Sequence, residues 1–457
     1  MLKYLIGGSC MRNTELEVTI SKDNESLFKI DEKCISCGYC KDVCTNDVTV
    51  ARMNELYHGI EPICINCGQC ANICPTEAIK EHLDYIKLKE VLHNKGNKKV
   101  IMSIAPAVRA ALGEEFNLEP GTNTEGVIAT ALRKLGADYA FDITFGADLT
   151  IMEEGMELVK RIKNNGVLPQ FTSCCPAWIK YCEIFYPELL PNLSTAKSPI
   201  TMQSTLIKTY FANKENINAE DIVNVVIAPC TAKKAEINRK ELNYTEKDTD
   251  YLLTTRELAL LLKEENIDIK TLEESKFDSP LGTGSGAGVI FGATGGVCEA
   301  ALRTAYNIIT GKDLSKEELK FKTIRGMEGI KEASITIEDK EIKVCVCNGM
   351  SNAKTLIDKL LNKEVHYDFI EVMNCVGGCI AGGGQPKITL LNMKDTKMSR
   401  IGSLYQEDEK MELRLCHHNP EIIEIYKNYL IEPNSEIAEK LLHTHYEDKS
   451  YLLGGKE

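Results

Sequence analysis

Two cysteine runs of the same spacing constrain this chain more than anything else in it. The first is Cys34-x2-Cys37-x2-Cys40-x3-Cys44, and the second is Cys64-x2-Cys67-x2-Cys70-x3-Cys74, followed by Pro75. They form an internal repeat with a period of 30 residues. Gly38 and Gly68 fall at the same place in each unit, where a tight turn around a cluster suits glycine. Three cysteines at x2 spacing wrap one corner of an iron–sulfur cubane, and in paired units the fourth cysteine serves the other cluster. Cys34, Cys37, Cys40 and Cys74 are therefore expected to hold one 4Fe–4S cluster, and Cys64, Cys67, Cys70 and Cys44 the other. Zinc favours two separated Cys-x2-Cys pairs rather than triple runs. Thr45 follows Cys44 where proline is usual, a mild departure because proline shapes the turn and ligates nothing.

The chain has 457 residues and 19 cysteines, too long for an ordinary disulfide-stapled secreted domain. Its length predicts two to four domains. With 43% hydrophobic and 26% charged residues it reads as globular. A net charge of −13 argues against nucleic acid as a partner. No apolar run is long enough to cross a bilayer, so no membrane association is expected. Leu5-Ile6-Gly7-Gly8-Ser9-Cys10 loosely matches a lipoprotein cleavage site, but the apolar stretch before it is too short for a signal peptide. A cytoplasmic location is expected.

The organisation expected is a short polar segment over 1–28, a ferredoxin-like unit over 29–82, a helix and linker over 83–99, a large body over 100–405, and a helical segment over 406–457. Within 83–99, residues 83–93 read as an amphipathic helix. From Val100 onward strand-length apolar segments alternate with helical patterns. Residues 100–104 precede a helix at about 107–116, and 223–228 precede a charged helical stretch. The pair Thr254-x-x-Glu257 reads as a capping box opening a helix over 258–263. Residues 343–347 precede a helix at about 352–362. Such alternation implies an α/β body with largely parallel sheets, preceded by an α+β ferredoxin-like unit.

The body holds a second cysteine constellation. Thr172-Ser173-Cys174-Cys175-Pro176-Ala177-Trp178, Pro229-Cys230-Thr231-Ala232-Lys233-Lys234 and Asn374-Cys375-Val376-Gly377-Gly378-Cys379-Ile380-Ala381-Gly382-Gly383-Gly384-Gln385-Pro386 each follow an apolar strand. In open α/β sheets ligand sites gather past the carboxyl ends of strands. One such cysteine would read as a small buried hydrophobe. Five in strand-end loops, two of them in a glycine-dense run, point to a bound inorganic group, because glycine lets backbone approach closely.

These three loops resemble the signature segments of iron-only (FeFe) hydrogenases, and the pattern is most like the clostridial group B type. Residues 103–116, 286–297 and the tail Leu441-Leu442-His443-Thr444-His445-Tyr446 resemble further family segments. The resemblance runs from about residue 30 to 450. It implies reversible conversion of protons and electrons to H2 at an H-cluster, a 4Fe–4S cubane joined to a two-iron unit bearing CO, cyanide and a bridging dithiolate. By the same resemblance the cubane sits on Cys175, Cys230, Cys375 and Cys379, with Cys379 bridging to the two-iron unit. Cys174 matches the thiol that passes protons, Glu154, Ser194 and Glu157 the rest of the proton route, and Arg161 its outer end. Without the family, Glu154 and Glu157 read as solvated helix charges. Lys233 matches the lysine that holds a cyanide ligand. Pro106, Phe291, Met373 and Ala228 match pocket-wall positions, and core packing also accounts for Phe291 and Met373. The implied partners are a ferredoxin or similar low-potential carrier, and maturation proteins for the two-iron unit.

The chain departs from well-known members at Ala228, Ala232, Ala107, Ile200 and Cys298, where methionine, serine, serine, glutamine and methionine are common. Such changes tune a metal site rather than remove it. Three rival readings remain. A hydrogen-sensing relative fits less well because Cys174 is present and no signalling domain is evident. An assembly factor of the hydrogenase-like kind fits less well because the loops are complete. A plain electron carrier leaves most of the chain unused. Cys10, Cys182, Cys345, Cys347 and Cys416 are given no role beyond that of buried thiols. Cys345 and Cys347 are expected on one face of a strand. His417 and His418 read as surface residues rather than ligands.

Overall fold

Continuous runs of β-branched and aliphatic residues bury both faces of a strand, which suits a parallel sheet covered by helices. The computed structural model, which describes residues 14–57, 62–337 and 340–454, has ten strands. They are β1 Leu27–Lys29, β2 Ile79–Glu81, β3 Lys99–Ile104, β4 Tyr139–Asp142, β5 Gln170–Phe171, β6 Ile222–Ala228, β7 Tyr251–Thr254, β8 Ile330–Ile337, β9 Lys340–Asn348 and β10 Phe369–Met373. One sheet runs β4-β3-β6-β7 with every pair parallel, and β6 is buried along its whole length. The other runs β5-β10-β9-β8, parallel except for the hairpin β8–β9. Strand β8 has no counterpart among the expected strands: exposed residues alternate along it with partly or fully buried ones rather than forming an apolar run. Its pairing also begins β9 at Lys340, ahead of the expected 343.

The capping box forms: Thr254 Oγ1 accepts from the Glu257 amide, and the Glu257 carboxylate accepts from the Thr254 amide. It opens the helix Thr255–Glu264. The helix expected over 107–116 breaks into a short turn, Pro106–Arg109, and a 3-10 segment, Leu112–Phe116. The Arg109 carbonyl is drawn out of the helical ladder by the Thr124 amide and hydroxyl at 3.0 and 2.8 Å. The buried Arg109 guanidinium also bridges Asp142 and Glu407. The amphipathic helix before the body spans Asp84–His93.

Strand β1 straddles residue 28 and pairs antiparallel with β2, so residues just ahead of the cysteine repeat belong to the same small unit. Lys29 is ion-paired with the buried Glu17 at 2.5 Å, and Val18 and Ile20 pack on the same cluster as Leu27, Ala71 and Ile79. After β10 the chain is mainly helical: Met393–Lys410, Pro420–Ile425 and Glu436–Leu442. Cys10 and the stretch read as a possible cleavage site lie outside the described residues. No helix among the described residues is long and apolar enough to cross a membrane.

Candidate active site

The carboxyl ends of strands from both sheets meet around one cavity. β3 delivers Pro106, β5 delivers Cys174 and Cys175, β6 delivers Cys230 and Lys233, and β10 delivers Cys375 and Cys379. The cavity between these walls is small, about 90 Å³. Ala228, Phe291 and Met373 complete the walls, so every residue expected at the H-cluster faces this cavity. Of the five departures, Ala107, Ile200 and Ala228 also line it, while Ala232 and Cys298 are buried outside its lining.

None of the eighteen described cysteines is in a disulfide. Burial pushes the thiols of the cavity up, Cys375 to about 11 and Cys230 to about 12, with Cys174, Cys175 and Cys379 raised as well. The Lys233 ammonium is the one cationic group on the wall among the described residues; it donates to the Cys174 carbonyl at 3.0 Å and is ion-paired with Glu236 at 2.7 Å. Gln69 Nε2 donates to Cys375 Sγ at 3.1 Å, and Asn374 Nδ2 reaches the same sulfur at 3.6 Å. Four thiols from three strand ends, two donors aimed at one sulfur and an almost wholly apolar lining fit a buried iron–sulfur group. A packed core has no use for such donors on a thiol.

The repeat forms two cages. Cys34, Cys37, Cys40 and Cys74 line one. Cys44, Cys64, Cys67 and Cys70 line the other, so the fourth cysteine of each run faces the opposite unit's triplet. Cys37 is exposed, whereas Cys67 is buried and lines both the second cage and the central cavity. The unit packs closely against the body. Gly68, at φ +72°, lies where a Cβ would meet Thr231 Oγ1 at 2.4 Å and Gly383 Cα at 3.2 Å. Thr231 donates to the Asn66 carbonyl at 2.7 Å, and Asn72 to the Gly382 carbonyl at 3.1 Å.

On the other side of the cavity the helix Thr144–Lys163 carries Glu154, Glu157 and Arg161. Glu154 is fully buried, and neither carboxyl oxygen has a hydrogen-bond partner. Burial, reinforced by Glu157, pushes it up to about 8, and the Ser173 amide and Ser194 pull weakly the other way. The Ser194 hydroxyl donates to Glu157 at 2.7 Å, and Arg161 pairs with Glu157 at 2.7 Å. Arg161 also donates to the Pro191 and Leu193 carbonyls.

Residues 98–383 match the family described as iron only hydrogenase large subunit, C-terminal domain; residues 394–449 match iron hydrogenase small subunit; residues 60–80 match a 4Fe-4S binding domain. The chain belongs to the iron-only hydrogenase family. It is 44% identical to Iron hydrogenase 1 of Clostridium pasteurianum over 81% of its own length and 65% of that protein. It is 46% identical to the NADP-reducing hydrogenase subunit HndD of Solidesulfovibrio fructosivorans over 81% and 64%. It thus spans slightly less than two thirds of the length of these hydrogenases. Its fold is similar to that of an apo FeFe-hydrogenase HydA1 from Chlamydomonas reinhardtii, in a cysteine-to-histidine variant. The TM-score is 0.70 at 41% identity, covering 80% of this chain and 99% of that one.

Three further residues stand around this site. Gln69 lies between Gly68 and Cys70, and only the docked fold shows that it reaches Cys375. Glu371 is buried and accepts from the Gly295 and Cys298 amides at 2.6 and 2.8 Å, fixing the loop after Phe291. His443, within the tail segment already singled out, bonds Thr195 Oγ1 at 2.8 Å and Glu153 at 3.0 Å, while the Thr195 amide donates to Glu157.

Proposed function

We propose that this protein catalyses the reversible interconversion of protons, electrons and H2, exchanging electrons with a ferredoxin-like carrier. The observation that carries the reading is the convergence of Cys174, Cys175, Cys230, Cys375 and Cys379 on one buried cavity whose wall is shared, through Cys67, with the nearer cage. Cys175, Cys230, Cys375 and Cys379 would hold the cubane of an H-cluster, with Cys379 also meeting the two-iron unit. The two cages would each hold a 4Fe–4S cluster. When bound, these groups supply the electron storage and the hydrogen chemistry, and the protein supplies position, charge and dryness.

The chain's own residues account for proton delivery. Arg161 holds Glu157 near the surface, and Glu157 accepts a bond from Ser194. Glu154, kept protonated near neutral pH by burial, carries a proton inward to Cys174 Sγ. Lys233 presents a cation at the cavity wall, where it would donate to an anionic ligand of the two-iron unit. Maturation proteins would install that unit, and the cytoplasm is the compartment proposed.

The test is hydrogen evolution by anaerobically purified, matured protein given a chemically reduced carrier. Steady evolution is expected. No evolution from protein shown to contain the two-iron unit overturns the reading and favours a hydrogen sensor.

A further inference from the structure

Outside the lining of the cavity, three metal-ligating side chains from two parts of the chain meet. Asp313 follows the helix Gly296–Thr310, and His417 and His418 lie in the 3-10 turn Cys416–His418. His417 Nε2 is 2.9 Å from Asp313 Oδ1, and His418 Nε2 is 3.2 Å from Asp313 Oδ2. One ligand atom from each of the three lies within 4.8 Å of the other two.

The group is oriented from behind. Asn307 Nδ2 donates to Asp313 Oδ1 at 2.9 Å, and Thr304 Oγ1 lies 3.4 Å from His417 Nδ1. Thr304 and Asn307 are three residues apart on one helix, so a single face fixes both the carboxylate and one imidazole. Second hydrogen bonds of this kind are what hold metal-ligating side chains in place. The expectation that both histidines are surface residues is met by His418, whose side chain is 52% exposed, but not by His417 at 8%. The histidine rings stand 4.7 Å apart. Two imidazolium rings at that separation repel, whereas two neutral imidazoles and a carboxylate form a ligand set for a borderline cation. Cys416 takes no part; its sulfur lies against Ser285, 3.9 Å from that hydroxyl.

We propose that Asp313, His417 and His418 bind a zinc ion, with water in the open position beside His418, and that the ion pins the segment matched by the small-subunit family to the body matched by the large-subunit family. Zinc takes nitrogen and oxygen ligands at about 2.0–2.2 Å, so the 2.9 and 3.2 Å His–Asp contacts must open slightly, which the exposed Asp313 and His418 side chains can accommodate.

The test uses cluster-loaded holoprotein under anaerobic conditions, titrated calorimetrically with zinc chloride, beside His418→Ala and Asp313→Asn. Neither residue belongs to the proposed catalytic machinery, so hydrogen evolution by both variants serves as a check on folding. Wild-type protein is expected to bind one zinc at this site, with affinity at least tenfold weaker in each variant. An anomalous peak at the zinc edge is expected between the three side chains. Unchanged zinc binding in both variants, or no such peak, overturns the proposal and leaves His–Asp ion pairs only.

Discussion

The N-terminal cages and the central cavity are built from the same residue type in opposite ways. Each cage comes from cysteines within a span of 41 residues, set by local spacing, and the outer one keeps Cys37 exposed. The cavity draws its cysteines from 174 to 379, through three strand ends of two sheets, and lies under apolar walls. A cage needs only a short loop and a turn glycine. The cavity needs the whole body folded before its thiols meet. The first arrangement suits a group that passes electrons near a surface, and the second a group that must be kept dry and fed protons along a defined line.

The sharpest way to break this contrast is to remove one thiol from each region. Cys379→Ala is expected to abolish hydrogen evolution and to remove the iron of the cavity, while the iron of both cages remains on elemental analysis and cluster spectroscopy. Loss of all iron would show that the regions assemble as one. Cys37→Ser is expected to lower the carrier-driven rate by roughly an order of magnitude or more, since it disables the outer cluster alone. Carrier-independent exchange of H2 with solvent should persist in that variant. If exchange fails too, the outer cage does more than admit electrons.

A smaller effect concerns Glu154. Its carboxyl sits at about 8 in the folded protein against an ordinary 4.5, because burial disfavours the charged form. The stability it contributes is therefore complete below about 4.5 and lost as pH rises through about 8. Glu154→Gln carries no such charge. Its unfolding midpoint relative to wild type should rise between pH 6 and pH 9, by an amount worth about 2.7 kcal/mol. Turnover in the same variant should fall by about 10²-fold or more. Parallel stability curves would show that Glu154 is already ionised or hydrated. The mildest test is Gln69→Ala, which removes the 3.1 Å donor to Cys375. It should cost roughly tenfold in activity and shift the potential of the cavity's cluster. No change in either would make Gln69 a docking residue only.

How much of this was legible in the sequence follows the same division. That Cys74 lines the same cage as the first triplet, and Cys44 the same cage as the second, was legible in the spacing, because a repeat of local loops leaves few ways to close two cages. The placement of Cys174, Cys230 and Cys379 past strand ends was readable from apolar runs followed by glycine-rich loops. Their meeting at one point was not, since it depends on how two sheets pack, and it entered through resemblance to a family. The break after Arg109 was hidden because a carbonyl captured by Thr124 leaves no local mark. Gln69 was hidden because its partner is some three hundred residues away. Glu154 and Glu157 have the same spacing as solvated helix charges, and only burial separates them.

The most direct test of the central claim, that Cys174 is the last proton carrier before the cavity's cofactor, is isotope exchange between H2 and D2O. It would be measured on matured wild-type protein and on Cys174→Ala at equal iron content, without any electron carrier. Steady formation of HD by the wild type, reduced by about 10²–10⁴-fold in Cys174→Ala, is the result predicted. Wild-type exchange rates in Cys174→Ala would contradict it.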